Sequence, residues 1–352
     1  MVKWCMNVIQ WRKIDHTREI KMAAFGTVFL PQMIQARFSD NQWSESSIVP
    51  SDKLELHAGA HVLHYSSTCF EGLKAFRHED GSIYIFRIDA NIARMQQSSA
   101  LLSLPSFDGQ MLKDMIIEIV KEYADETPLP PGSMYIRPTH IGTEAAIGKA
   151  AAPSMSSLLY TLLSPVGDYF TGGATALRVL LEEDGMRCAP HMGMVKSGGN
   201  YASALAPISA AREKYQADQI LFCPGGDVQE TGAANFILID GNEIITKALD
   251  STFLHGVTRN SILTIAKDLG MTVSERNFSV TELLERAAKP GTEAALSGTA
   301  AVLTPVGTFI HNDKEYKVGS GEPGPTTARL RQALNDIQWG KSEDKHGWLT
   351  KI

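Results

Sequence analysis

The run Met194 to Tyr201 (MVKSGGNY) sets Lys196 after two apolar residues and before two glycines. An apolar approach points the lysine inward from a strand end, and Gly198 and Gly199 let backbone come close to a bound group. An amine kept from water gives up its proton more readily, and the neutral form condenses with an aldehyde to a Schiff base. Glu230, in Val228 to Asn235 (VQETGAAN), supplies a carboxylate just ahead of an apolar strand. Once buried, such a group stabilises a protonated ring nitrogen. Leu254 to Asn260 (LHGVTRN) opens a helix, where unpaired backbone N–H groups bind anions. Gly256 permits close approach there, and Thr258 adds a hydroxyl. Ser297 to Ala300 (SGTA) is a second small-residue turn with the same capability, and Arg87, at the end of an apolar strand, adds a fixed positive charge. An aldehyde for the lysine, a ring nitrogen for the carboxylate and a phosphate for the turns are the three handles of pyridoxal 5'-phosphate.

Each residue also has a plainer reading. Lys196 alone reads as an exposed lysine on a Gly-Gly turn before a helix. Glu230 alone reads as a surface turn residue, and Thr258 and Thr299 alone as helix-cap or turn residues.

The elements that must position these groups are partly visible. Leu112, Met115, Ile116, Ile119, Val120 and Tyr123 recur at helical spacing, with Asp108 in front as a cap. Ile262, Leu263, Ile265, Ala266 and Leu269 form a second stripe, stopped by Gly270. Strands are expected over Ser82 to Ile88, Ser133 to Arg137 and Ser157 to Leu163. Asn235 to Ile239 and Glu243 to Thr246, joined by Asp240-Gly241-Asn242, read as a hairpin. The Gly- and Pro-bearing stretch Ser164 to Gly173 reads as a join between units. The expected organisation is an N-terminal extension over 1–22, a small α+β domain over 23–163, a linker over 164–175 and a larger domain over 176–352.

With 352 residues the chain fits about two domains. A net charge of -6, with Lys and Arg scattered, offers no basic face for nucleic acid and no polybasic patch for a membrane. No apolar run approaches the ~20 residues that span a bilayer, and the start shows no signal-peptide pattern. Asp15 and Glu19 speak against a transit peptide. Cys5, Cys69, Cys188 and Cys223 fit no zinc spacing and read as reduced thiols of a cytoplasmic protein, so no metal is expected.

The residues also resemble a known family. His64-Tyr65 with Phe70 to Arg77 (FEGLKAFR) resembles the HYxxxxFEGxKAF signature of branched-chain amino acid aminotransferases. Lys196 to Tyr201 resembles their KxGGNY segment. Glu230 to Asn235, Ile245-Thr246 and Leu254 to Arg259 are similar to the signature of the wider class IV PLP-dependent aminotransferases. Phe25-Gly26, Phe86-Arg87, Tyr135 to Pro138 and Ser297 to Ala300 follow the same order, so the resemblance runs from Phe25 to the C-terminus.

The resemblance implies the fold-type IV PLP arrangement, α+β and α/β in two domains, with a barrel-like sheet in the larger C-terminal one. It implies transamination of leucine, isoleucine and valine with 2-oxoglutarate, giving 2-oxo acids and L-glutamate. Lys196 would carry the cofactor and move the proton, Tyr201 would bond its ring oxygen, and Glu230 its ring nitrogen. Arg87, Val257, Thr258 and Thr299 would form the phosphate cup. Tyr65, Tyr135, Arg137 and the Thr299-Ala300 backbone would take substrate carboxylates, and Phe25 and Phe70 would wall the pocket. It further implies a homodimer in which Tyr65 and Ile147 serve the neighbouring subunit.

The chain departs from the pattern in places. Gly232-Ala233-Ala234-Asn235 replaces Gly-Thr-Met-Asn, which removes a hydroxyl and enlarges the pocket. Ile237 stands where an aromatic is usual, Lys149 where an apolar residue is usual, and Ala301 and Thr304 where some members have a redox cysteine pair. These changes leave the amino acid preference open towards aromatic or unusual side chains. The alternatives are a D-amino-acid aminotransferase, a PLP lyase of the same fold, or a PLP-binding homologue without turnover. FEGLKAFR together with Tyr135 to Pro138 speaks against the first two, and intact Lys196, Tyr201, Glu230 and Arg87 against the third.

Overall fold

The structure is a computed structural model that describes residues 25–167 and 175–352. The expected extension over 1–22 lies outside the described residues.

Two sheets divide the described residues. The first is built from β1 (Gln32–Ser39), β2 (Gln42–Trp43), β3 (Ser47–Pro50), β4 (Thr68–Phe70), β5 (Leu73–Arg77), β6 (Ile83–Phe86), β7 (Ser133–Gly142), β8 (Ser157–Val166) and, from the far end of the chain, β17 (Leu349–Lys351). It is antiparallel, in the order β17-β6-β5-β7-β8-β1-β2, with β3 on β1 and β4 on β7. The second comprises β9 (Leu177–Glu182), β10 (Gln219–Phe222), β11 (Asn235–Asp240), β12 (Glu243–Thr246), β13 (Thr272–Glu275), β14 (Glu293–Gly298), β15 (Val302–His311) and β16 (Lys314–Lys317). It is mixed, in the order β10-β9-β15-β14-β11-β12-β13, with β16 on β15.

Both stripes read from the sequence are helices: Gly109–Glu122, where the Asp108 carboxylate accepts from the Gln110 amide at 3.0 Å, and Val257–Asp268. The first buries Leu112, Met115, Ile116, Ile119 and Val120 against the first sheet. Gly270 follows the second with φ of 77°, a backbone that suits glycine. The hairpin is present, with Asp240 opposite Glu243 across the turn.

Three expectations change. The strand at Ser82 to Ile88 ends at Phe86, because Arg87 takes a left-handed backbone (φ 52°, ψ 40°) and opens a helix over Ile88–Leu101. Ser164 to Val166, expected in the linker, continue β8 and pair with β7 as far as Ser133 opposite Val166. The end of the chain, expected to lie wholly in the larger unit, returns to the first sheet, where Leu349 pairs with Phe86.

The cores follow this layout. One fills the space between the first sheet and the helices Ile88–Leu101 and Gly109–Glu122. Another packs the helix Val280–Ala287 on the second sheet, joining Val280, Leu283 and Ala287 to Phe236, Leu296 and Phe309. A third unites the two units: Phe76 and Phe86 of the first sheet join Ile262 and the C-terminal helix residues Leu330, Leu334 and Ile337. The seam between the sheets is therefore anchored on apolar contact.

Leu112 is fully buried, so Leu112→Ala is expected to lower stability by about 2–5 kcal/mol, read from the denaturant midpoint. An unchanged midpoint would contradict the packing of that helix.

Candidate active site

Lys196 lies between a short turn (Pro190–Met192) and the helix Gly198–Tyr215. Its main chain is held from both sides. The Lys196 amide donates to the Ser98 hydroxyl at 3.0 Å, and the Lys196 carbonyl accepts from the Phe70 amide at 3.0 Å. The Asn200 side-chain amide donates to the carbonyls of Met192 and Val195 at 2.7 and 2.8 Å and closes the turn. With the backbone fixed, the side chain runs over the Phe70 ring, 4.8 Å from its centre, and donates to the Tyr201 hydroxyl at 2.6 Å.

Glu230 sits where β11 begins and is 2% exposed. One carboxylate oxygen lies 2.9 Å from the Arg187 guanidinium and accepts from the Leu254 amide at 2.8 Å. The other accepts from the Asn235 side chain at 3.0 Å, and Asn235 also donates to the Leu254 carbonyl at 2.7 Å. Gly256 makes this arrangement possible, since a Cβ there would lie 2.0 Å from the Asn235 oxygen. Burial pushes the Glu230 carboxyl up to about 7, against the pull of Arg187 and the Leu254 amide.

A cleft brings Lys196, Glu230 and Arg187 together with Arg94, Ala233, Ala234, Asn235, Gly256, Val257, Thr258, Ser297, Gly298 and Thr299. The start of the helix Val257–Asp268, capped by no side chain among the described residues, lines the cleft through Gly256, Val257 and Thr258. The buried Ser297 hydroxyl has no partner among the described residues. A carboxylate and an amine at one end, and uncapped amides, an orphaned hydroxyl and a cation at the other, fit the ring and the phosphate of PLP.

Arg94 lines the cleft and Arg87, expected there, does not. Arg94 is buried and fixed by a bidentate pair with Glu71, both bonds 2.7 Å, and by the His255 carbonyl at 2.9 Å. Arg87 does not line the cleft; its guanidinium bonds Asn260 and Ser261 at 2.6 and 2.9 Å and lies over Trp348. Sequence reasoning stopped at the strand end and missed the helix beyond it. Asn91, Arg94 and Ser98 are buried polar residues at spacings of three and four on that helix, a signal that was there to read. The roles of Arg187, Asn235 and Glu71 were missed with it.

The remaining expected residues form a wall. Phe25 meets Tyr135 edge-on at 4.8 Å, Arg137 donates to the Tyr135 hydroxyl at 2.7 Å, and the same guanidinium lies 4.7 Å over Phe70. Gly72 admits the Tyr135 hydroxyl, which an added Cβ would meet at 2.1 Å. The Thr299 hydroxyl donates to the Gly72 carbonyl and the Ala300 carbonyl accepts from Lys74, both at 3.0 Å, so this turn is fastened to β5. Tyr65 is apart from these contacts: its hydroxyl donates to the carbonyl of Ile147, which is 68% exposed. Lys149 is paired with Glu144 at 2.5 Å.

Comparison with known proteins bears on this arrangement. The amino-transferase class IV family matches residues 68–309. A probable branched-chain-amino-acid aminotransferase of Streptomyces coelicolor is 37% identical over 334 residues, 92% of this chain and 91% of the relative. The branched-chain-amino-acid aminotransferase of Mycolicibacterium smegmatis is 35% identical, covering 96% of this chain and 95% of its own. Among solved structures, the T.th. branched-chain amino acid aminotransferase with pyridoxamine 5'-phosphate superposes with TM-score 0.76 at 25% identity, over 92% of this chain and 99% of that one. The Escherichia coli enzyme gives TM-score 0.73 at 26% identity, over 89% and 98%.

The raised carboxyl has a consequence for the cofactor-free chain. Between its ordinary value of 4.5 and about 7, Glu230 holds a proton in the folded state that it has lost in the unfolded one. The folded state then binds more protons, so stability falls as pH rises through that window and levels off above it. Melting temperatures of cofactor-free wild type and Glu230→Gln between pH 5 and 8 check this. The wild type is expected to lose stability relative to the variant as pH rises, and a difference that stays constant would contradict it.

Proposed function

The chain belongs to the class IV amino-transferases, and on that premise we propose that it transfers the amino group of branched-chain L-amino acids to 2-oxoglutarate with pyridoxal 5'-phosphate. One observation carries the reading: the Lys196 amine, bonded to Tyr201 at 2.6 Å, shares a cleft with the buried Glu230 carboxylate and the uncapped end of the Val257 helix. Bound there, the cofactor supplies an electron sink for the charge left on the substrate Cα when its proton departs.

The chain's own residues do the rest. Lys196 Nζ would anchor the cofactor and, once the substrate's amino group has displaced it, would be free to take the proton from the substrate Cα. Tyr201 Oη, within bonding distance of that amine, keeps it aligned and would bond the ring oxygen. Glu230 holds a proton on the ring nitrogen; its own raised value leaves it ready to share that proton. Arg94, the amides of Val257 and Thr258 and the Ser297 hydroxyl would hold the phosphate, with Thr299 lining the same cleft. Phe25 and Phe70 exclude water and receive an aliphatic side chain, while Tyr135, Arg137 and the Ala300 backbone take carboxylate. Arg137 also gives 2-oxoglutarate a place for its second carboxylate.

A homodimer belongs to the same proposal. The Tyr65 hydroxyl, at the end of the helix His61–Tyr65, donates to the Ile147 carbonyl, and Leu63, Ile147 and Met155 are apolar and more than half exposed, which suits a surface that a second copy covers. Tyr65 would then complete the partner's carboxylate site. Among the described residues no helix is long and apolar enough to cross a membrane, and Cys69, Cys188 and Cys223 are unpaired, as suits a reducing cytoplasm. Ala233 and Ala234, smaller than the residues usual at these places, both line the cleft, so aromatic amino acids are secondary candidates.

Lys196→Ala is expected to lower leucine:2-oxoglutarate turnover by on the order of 10^4-fold or more while the fold persists. Turnover near that of the wild type, measured with added PLP, would overturn the role given to Lys196.

A further inference from the structure

The C-terminal segment reaches the helix Val257–Asp268 directly at its end and through Arg87 at its start. Trp348 directly precedes β17, which is sewn to β6, the strand that ends next to Arg87. The Arg87 amide donates to the Trp348 carbonyl at 2.7 Å, and the guanidinium lies 5.1 Å over the indole. From that platform one guanidinium nitrogen reaches the first turns of the helix Val257–Asp268. It donates to Asn260 Oδ1 at 2.6 Å, to the buried Ser261 Oγ at 2.9 Å and to the Val257 carbonyl at 3.4 Å. At the other end of the helix, Asp268 lies 2.7 Å from His346, whose ring stacks on Trp348 at 4.6 Å. Phe86 meets the indole edge-on at 5.6 Å.

A cation at the start of a helix sits against the positive end of the helix dipole. Alone that placement is unfavourable; it becomes favourable once an anion occupies the helix end, because both then attract it. The bonds to Asn260, Ser261 and Val257 also fix the rotation of the first turn, whose amides must converge on one small group. We infer that Arg87, held by Trp348, is a positioning residue that sets how tightly the Val257 helix grips the cofactor's phosphate. The inference rests on the proposed reading of this site as a PLP site.

The test uses the full-length holoenzyme. PLP dissociation is followed on dilution by the cofactor's absorbance, the bound phosphate by 31P NMR, and kcat at saturating PLP. Arg87→Ala and Trp348→Ala are expected to weaken PLP retention, the first by about tenfold, as outer-shell losses commonly do, and to shift the 31P resonance. The kcat at saturating PLP should stay within about twofold. Arg87→Lys, which keeps the charge and can still reach Asn260, should recover part of the retention. Arg178→Ala, which breaks a surface ion pair with Glu315, should leave both readouts unchanged. Wild-type retention and an unmoved 31P line in Arg87→Ala would overturn the inference, as would an equal loss in Arg178→Ala. A wild-type chain that takes up no PLP would instead overturn the reading of the site itself.

Discussion

The buried ion pair of Glu230 and Arg187 is the interaction around which the cleft is built. Both side chains are almost fully withdrawn from water, and a carboxylate cannot stay charged there without partners. Its partners therefore dictate the local structure. Arg187 supplies the charge, Leu254 its amide and Asn235 its side chain. Asn235 in turn requires a glycine at 256, because any side chain there would occupy the space of its oxygen. The glycine leaves the next helix without a side-chain cap among the described residues, and the start of that helix lines the cleft. One buried carboxylate thus ties Arg187, Leu254 and Asn235 together beside the start of that helix.

A second constraint comes from the seam between the sheets. Lys196 belongs to the second unit, yet its backbone is bonded to Phe70 on β4 and to Ser98 on the helix behind it. The Thr299-Ala300 turn is likewise fastened to Gly72 and Lys74. Such cross-bonds position catalytic groups only if the two units cannot slide, and the apolar contact of Phe76 and Phe86 with the C-terminal helix supplies that rigidity. The return of β17 to the first sheet adds a second tie.

Much of this was legible in the sequence because local chemistry and local structure agreed. Lys196, Glu230, Thr258 and Thr299 lie in short motifs whose glycines and small residues already implied close approach, and all four line one cleft. The helices with clean apolar stripes were readable for the same reason. The helix Gly198–Tyr215 was not, since it buries only Asn200, Ala204 and Ala211 and carries Pro207 inside, so no stripe marks it. Arg87 was read as the phosphate cation because it ends a strand, as such residues often do. Its left-handed backbone turns the chain instead, and Arg94, seven residues on, lines the cleft. Long-range ties such as β17 on β6 leave no local trace.

The central claim is that Lys196, Tyr201 and Glu230 form one working amino-transfer site. The most direct measurement is the visible absorption spectrum of the purified holoenzyme before and after L-leucine and then 2-oxoglutarate. The account requires a cofactor band that L-leucine discharges and 2-oxoglutarate restores. A band that neither leucine, valine nor isoleucine discharges would contradict it.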